Sequence, residues 1–271
     1  MNEMPALLVF GAHPDDCELT AGGLAAFYSS RGGRVLFTSL TNGDAGHQTM
    51  GGALLARTRR GEARAAAAAV GGESIVLDNH DGGLMPTMEN RLAVIKIIRD
   101  FRPDLMLLPR PNDYHPDHRY TSTLVQDASY MVTVPNICAF AERLEVDPVV
   151  MYVSDKFQKP YPFQPDVVVD TTDVVGKKVE ALDAHTSQMY DWLPWHDGGL
   201  DTVPTDHAER LVWLRNRYEA RLRTDAQRFR DALVAKYGQE RGGSILYAEA
   251  FEACEYGAPL TDEARARLFP F

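Results

Sequence analysis

Ala6-Leu7-Leu8-Val9-Phe10-Gly11, followed at once by Ala12-His13-Pro14-Asp15-Asp16-Cys17-Glu18, is the stretch on which the reading of this chain turns. The first six residues form a short apolar run closed by glycine, the pattern of a buried strand. A dinucleotide-binding fold would continue with GxGxxG, leaving backbone amides free for phosphate. Here the continuation carries a histidine and three acids, Asp15, Asp16 and Glu18. Those charges repel a pyrophosphate, so a nicotinamide or flavin fits poorly unless a metal intervenes. Imidazole and carboxylate together suit a borderline or hard cation. His13 and Asp16 fall on one side of a tight turn or first helical turn, and Asp15 between them can point elsewhere, at a water. Helix capping by Asp15 or Asp16 is the plainer alternative and the commoner role of a lone aspartate. It does not account for a histidine and several acids crowding one strand end.

Outward from this point, strand and helix signals alternate. Thr20–Arg31 reads as a helix stopped by Gly32-Gly33, and Arg34–Leu40 as a second strand. Thr41–Gly52 is a glycine-rich polar loop, long enough to suggest function. Ala53–Val70 is an alanine-rich helix, Ser74–Leu77 a third strand and Asp78–Pro86 another loop. Met88–Phe101 keeps helical spacing through Leu92, Ile95 and Ile98. Asp104–Leu108 is a fourth strand, and a helix follows from about Pro116 to Val132. Repeated units of this kind imply a parallel sheet with right-handed crossovers, whose ligands bind beyond the carboxyl ends of the strands. The loops after strands one to four can therefore share one site. Further on, Val149–Val153 and Asp166–Asp170 look like strands and Asp173–Ser187 like a helix. Met189–Val203 is irregular, Asp206–Lys236 is one charged helix or two, and Gly242–Ala253 is strand or helix.

The fourth loop repeats the chemistry of the first in Pro111-Asn112-Asp113-Tyr114-His115-Pro116-Asp117-His118-Arg119. Pro116 suits a first helical turn, which lets His115 and His118 face the same way. His13, Asp16 and His118 then make three ligands with one position left for water, the pattern of a catalytic rather than structural zinc site.

Composition narrows the partners. With 28 Lys plus Arg against 38 Asp plus Glu, the net charge is −10, which argues against a nucleic-acid or anionic-membrane partner. Hydrophobic content of 45% and charged content of 24% mark a globular chain rather than a disordered one. Cys17, Cys138 and Cys254 are scattered and form neither a disulfide framework nor a thiolate zinc site. Without a signal h-region or a long apolar span, the expected compartment is the cytoplasm.

The pair of motifs, AHPDD-x-E at Ala12–Glu18 and HPDH at His115–His118, resembles the PIG-L or LmbE-like family of zinc-dependent N-deacetylases and related amidases. Supporting stretches match as well: Thr41–Gly46 (TNGDAG), Arg59-x-x-Glu62-Ala63, Asp81-Gly82, Arg102-Pro103-Asp104 and His185-x-Ser187-Gln188. The resemblance covers roughly residues 5–190. It implies His13, Asp16 and His118 as metal ligands, Asp15 as general base, His115 as oxyanion stabiliser and Asp117 as the residue orienting it. It extends to Arg59, Asp81 and His185 as substrate contacts. Each of these also has a plainer role: Arg59 as an exposed helix residue, Asp81 as a turn former and His185 as a favourable cation at a helix end. Trp192 and Trp195 beside His196 are more commonly packing residues; exposed, they would make a stacking face for a sugar. His47, His80 and His207 receive no role.

The resulting expectation is a Rossmann-like three-layer α/β fold, one domain over 1–271, with a divergent and mainly helical extension over 190–271. Its activity would be removal of an N-acetyl group from an N-acetylglucosamine-type sugar or glycoside with Zn2+; Fe2+ is accepted by the same donor set. An amidase acting on a larger acyl group of a glucosaminyl thiol conjugate is the nearest alternative. A non-catalytic metal- or sugar-binding protein is another. The expected partner is a small amino-sugar substrate, and the resemblance leaves a homo-oligomer open.

Overall fold

A computed structural model describes residues 4–271. The expected strands form: β1 (Leu7–Gly11), β2 (Val35–Thr41), β3 (Glu73–Asn79), β4 (Leu105–Leu108), β5 (Val149–Val153) and β6 (Val167–Asp170). The undecided C-terminal stretch supplies β7 (Ala248–Gly257). Among the described residues these make one seven-stranded sheet in the order β3-β2-β1-β4-β5-β7-β6. The β1–β2, β1–β4, β2–β3 and β4–β5 pairs are parallel, while β7 runs antiparallel to both β5 and β6.

Strand order explains where the site lies. The chain goes outward from β1 to β2 and β3, then returns to place β4 on the other side of β1. The loops after β1 and β4 thus diverge at the switch point, where an open α/β sheet has its crevice. Alternate residues of β1 feed the two cores. Leu7 and Val9 pack with α1 (Asp16–Ser30), α2 (Gly52–Ala69) and the chain end at Leu268 and Phe269. Leu8 and Phe10 pack with α3 (Met88–Phe101) and α4 (Pro116–Met131). This is the three-layer α/β arrangement the alternating pattern implies.

Helix α1 starts at Asp16, four residues earlier than expected, because the turn at His13–Asp15 is tight enough for the helix to begin within the motif. Beyond β6, α5 (Val175–Asp183) leads into a π-helix at Ser187–Trp192 and a short turn, α6 (Leu193–His196). The long charged segment breaks into α7 (His207–Leu222), α8 (Thr224–Arg228) and α9 (Arg230–Tyr237), followed by α10 (Gln239–Ser244) and, after β7, α11 (Asp262–Leu268). The C-terminal region is therefore helical but not merely appended, since β7 enters the sheet between β5 and β6. No helix among the described residues is long and apolar enough to cross a membrane.

Candidate metal centre and catalytic site

The carboxyl edge is knitted together first by backbone. Thr41 gives both its N–H and its hydroxyl to the Ala12 carbonyl at 2.8 Å, and Ser39 Oγ donates to the His13 carbonyl at 3.1 Å. The Asp16 carboxylate turns back on its own loop, where Oδ2 accepts from Ala12 N and His13 N, both at 2.9 Å. A Cβ on Gly11 would stand 2.7 Å from Asp16 Cβ, so glycine is required for this fold-back. The capping alternative fails: Asp15 occupies the N-cap position of α1, but no side chain caps it.

Three donor atoms converge at the switch point. His118 Nε2 lies 3.2 Å from His13 Nδ1 and 3.4 Å from Asp16 Oδ2. His13 Nδ1 is 3.6 Å from the same oxygen. Nitrogen and oxygen ligands at roughly 2.0–2.1 Å from a tetrahedral cation sit about 3.3 Å apart, so the triangle has the size of a coordination face. The outer nitrogens lie beside carboxylates. His118 Nδ1 is 3.1 Å from Asp113 Oδ2, and His13 Nε2 is 3.2 Å from Asp81 Oδ1 and 3.4 Å from Asp117 Oδ2. Carboxylates in that position favour a proton on the outer nitrogen and leave the inner one as a lone pair. Two imidazole lone pairs and a carboxylate facing one another repel unless a cation sits among them. His13 Nε2, on the far side toward Asp81 and Asp117, makes no well-aligned hydrogen bond. The residues therefore fit a divalent metal. Two overlapping sets, His13–His115–His118 and His13–Asp81–His115–Asp117, likewise bring their donors within 4.8 Å of one another. We favour the triangle because its three edges, 3.2, 3.4 and 3.6 Å, all match a coordination face and carboxylates lie beside its outer nitrogens.

Electrostatics agree. Burial works against a charged His13, yet Asp117, Asp16 and Asp81 outweigh it and raise its pKa. His118 is raised likewise: burial opposes, and Asp16 and Asp113 prevail. Burial also opposes ionisation of Asp16, but His118 and His13 hold it far below the usual carboxylate range. Without metal the site attracts protons where a cation would sit.

The remaining candidates divide. Asp15 is buried, and its Oδ1 is 3.0 Å from Arg59 Nη2. Arg59 is only 2% exposed and lies under Gly43, whose φ of +67° and lack of Cβ permit the contact; a Cβ there would stand 2.6 Å from Nη1. It is not an exposed helix residue: Nη2 faces Asp15, while Nη1 borders Gly46 on the Asp81 side of the crevice. Asp81 remains at the crevice, with one carboxylate oxygen toward His13 and the other beside Gly46. His115 caps α4, with Nδ1 accepting from Asp117 N at 3.2 Å, so its neutral form carries the proton on Nε2. Burial, with His13 and His118 nearby, lowers its pKa and favours that neutral form.

Two expected roles are corrected. The Asp117 carboxylate does not orient His115; it accepts from Gly82 N at 2.7 Å and Leu84 N at 3.2 Å, fixing the loop after β3, while its backbone N–H holds the His115 ring. His185 is fully buried, with Nε2 3.3 Å from Glu18 Oε1, and cannot touch substrate there. The stretch that carries it serves as a clamp. Ser187 N and Oγ donate to Glu62 at 2.8 and 2.6 Å, and Gln188 Nε2 donates to the Gly46 carbonyl at 2.9 Å. Sequence reasoning gave Asp113 no role of its own; its position two residues before a histidine was the available signal.

Fold and donor set together define an α/β protein with a candidate divalent-metal centre at the switch point of its sheet. The chain belongs to the PIG-L family, whose model, described as GlcNAc-PI de-N-acetylase, matches residues 8–129. A diacetylchitobiose deacetylase of Thermococcus kodakarensis is 30% identical over 202 residues, covering 72% of this chain and 74% of that protein. A 1D-myo-inositol 2-acetamido-2-deoxy-alpha-D-glucopyranoside deacetylase of a Mycobacterium species is 30% identical over 247 residues, covering 70% and 76%. Among solved structures, the 4-carboxy-2-hydroxymuconate hydratase of Pseudomonas putida superposes with a TM-score of 0.72 at 22% identity, over 94% of this chain and 98% of that one. That likeness concerns the fold alone.

Proposed function

We propose that the protein is a metal-dependent hydrolase that removes the N-acetyl group from an N-acetylglucosamine-type sugar or glycoside. The observation that carries the reading is the His13–Asp16–His118 triangle with the buried Asp15 carboxylate on the same short loop. The two deacetylase relatives support it. The donor set suits zinc and also accepts iron(II).

A bound cation would polarise the amide carbonyl and bring the pKa of a water toward about 7. The protein's own groups do the rest. Asp15, held by Arg59, accepts the proton of the attacking water as the new C–O bond forms. His115 Nε2–H donates to the carbonyl oxygen as that oxygen gains charge. Neutral His115 has its Nδ1 occupied by Asp117 N, so giving up the Nε2 proton would leave an imidazolate. The proton for the leaving amine therefore comes from Asp15, which has just received one. The C–N bond breaks, and acetate and free amine leave.

Acetate release should be measured from N-acetylglucosamine, its β-linked disaccharide and a glucosaminyl thiol conjugate, using protein stripped with chelator and then reloaded with zinc or iron(II). Metal-dependent acetate from a sugar is expected. A reloaded protein that releases none would overturn the reading and direct attention to other chemistry, such as hydration, that this fold supports.

A further inference from the structure

An aromatic surface borders the site and takes no part in the steps above. Trp192 and Trp195, one helical turn apart, stack with ring centroids at 5.3 Å and planes 24° apart, and His196 lies 5.5 Å from Trp192. Trp195 is 48% exposed. The inner ring is tied to the crevice through Gly46. A Cβ at Gly46 would meet Asp81 Oδ2 at 3.4 Å, Arg59 Nη1 at 3.5 Å and Trp192 Nε1 at 3.9 Å. The indole edge therefore looks onto the same small space as Asp81, and the second ring continues toward solvent. The platform is firmly held, because the π-helix carrying Trp192 is clamped to Glu62 and to Gly46 itself. π-Helical turns are uncommon and concentrate at functional sites.

The surroundings select an occupant. Asp191, half exposed, lies 3.7 Å from His47 Nε2, and Asp197 is held by Arg217 at 2.6 Å. Flat rings rimmed by carboxylate and imidazole match a hexopyranose, with a C–H face to stack and hydroxyls to bond at the edge. A wholly apolar group would make no use of the rim's polar atoms, and an anionic one would meet Asp81, Asp191 and Asp197.

We propose that the Trp192–Trp195 stack is a subsite for a second, neutral hexopyranose ring, joined to the amino sugar whose acetamide is cut; this rests on the function proposed above. The test compares wild type, Trp195→Ala and Trp195→Phe on N-acetylglucosamine and on its β-linked disaccharide. For Trp195→Ala, KM should rise about tenfold for the disaccharide and stay within about twofold for the monosaccharide, with Phe restoring most of the difference. Equal loss on both sugars would overturn the proposal by making the stack a support of the site. Indole fluorescence supplies a readout independent of turnover. The disaccharide should change the emission of wild type and much less that of Trp195→Ala. No change in wild type, or a phenyl glycoside displacing the disaccharide with greater affinity, also overturns it. Should neither sugar be hydrolysed while the fluorescence response holds, the deacetylase reading fails and the subsite stands.

Discussion

His13 shows how one side chain is committed from both ends. Its Nε2 faces Asp81 and Asp117, and its Nδ1 faces His118 and Asp16. Removing it takes away one corner of the triangle, whereas removing Asp15 leaves all three. His13→Ala should therefore lose stoichiometric metal, measured by elemental analysis of the purified protein. Asp15→Ala should keep the metal and lose roughly 10²–10⁴-fold in turnover. An Asp15→Ala protein with near-normal rate would remove Asp15 as the base. His115 makes a second residue-scale prediction. Its pKa lies below the ordinary 6.5, and the proposed mechanism uses its neutral form, because protonating Nδ1 breaks the bond from Asp117 N. Activity should thus persist through pH 6.5 and fall as pH drops further, and His115→Gln should lose that part of the acid limb along with most of its rate. An acid limb unchanged in the variant would refute the assignment. The candidate triad could be proposed from the sequence because imidazole and carboxylate, crowded at short spacing on two strand ends, suit little besides a cation. The placement of Arg59 and His185 could not, because their partners Asp15 and Glu18 are distant in sequence and a motif says nothing of which side chain is buried.

At the scale of elements, α1 shows what pattern reading misses. The helix is kinked at Ala21, where φ is −136° and ψ 15°. Just past the kink, Gly23 N and Leu24 N donate to Glu249 of β7, both at 2.8 Å, and Lys178 of α5 donates to the same carboxylate at 2.7 Å. Gly23 must be glycine, since a Cβ would stand 2.7 Å from Thr171 Cγ2. A buried acid in the C-terminal strand thereby fixes the helix that begins with a metal-ligand candidate. Glu249→Ala would strand the Lys178 charge and two N–H groups. It should cost about 3–5 kcal/mol, read from the shift of the urea midpoint, and the Glu249→Met, Lys178→Met double variant should recover much of it. If the double variant is as unstable as the single one, the charge is not the cause. Arg99 is similar. Helical spacing places it in amphipathic α3, but not buried with its guanidinium spread over the carbonyls of Met131, Val132, Val134, Ile137, Cys138 and Ala141. Periodicity located helices and strands well where both faces of the sheet demand apolar residues. It left Gly242–Ala253 undecided because Glu249 and Glu252 break the apolar run that would have marked a central strand.

For the whole molecule, the sheet's topology and the excess of acid meet at one place. The net charge of −10 is mostly solvated surface, yet Asp15, Asp16, Asp81 and Asp117 gather at the switch point with His13 and His118 among them. The triangle also joins segments 105 residues apart, the loop after β1 and the start of α4. A cation there would act as a cross-link between the two halves of the crevice and as a counter-charge to the acids. It would bind the folded chain and find no such site in the unfolded one, so metal and fold would stabilise each other. At free metal near 100 times its dissociation constant the gain is about 2.7 kcal/mol. For a chain of 271 residues, that corresponds to a rise in Tm of about 5 °C. Wild-type protein stripped with chelator should melt lower by about that amount and recover on addition of zinc or iron(II), with metal content followed in parallel. His13→Ala should melt near the stripped value whether or not metal is added. A wild-type Tm indifferent to stoichiometric metal would mean that the two loops are already held by their carboxylates and main chain, and that the cation serves the chemistry alone.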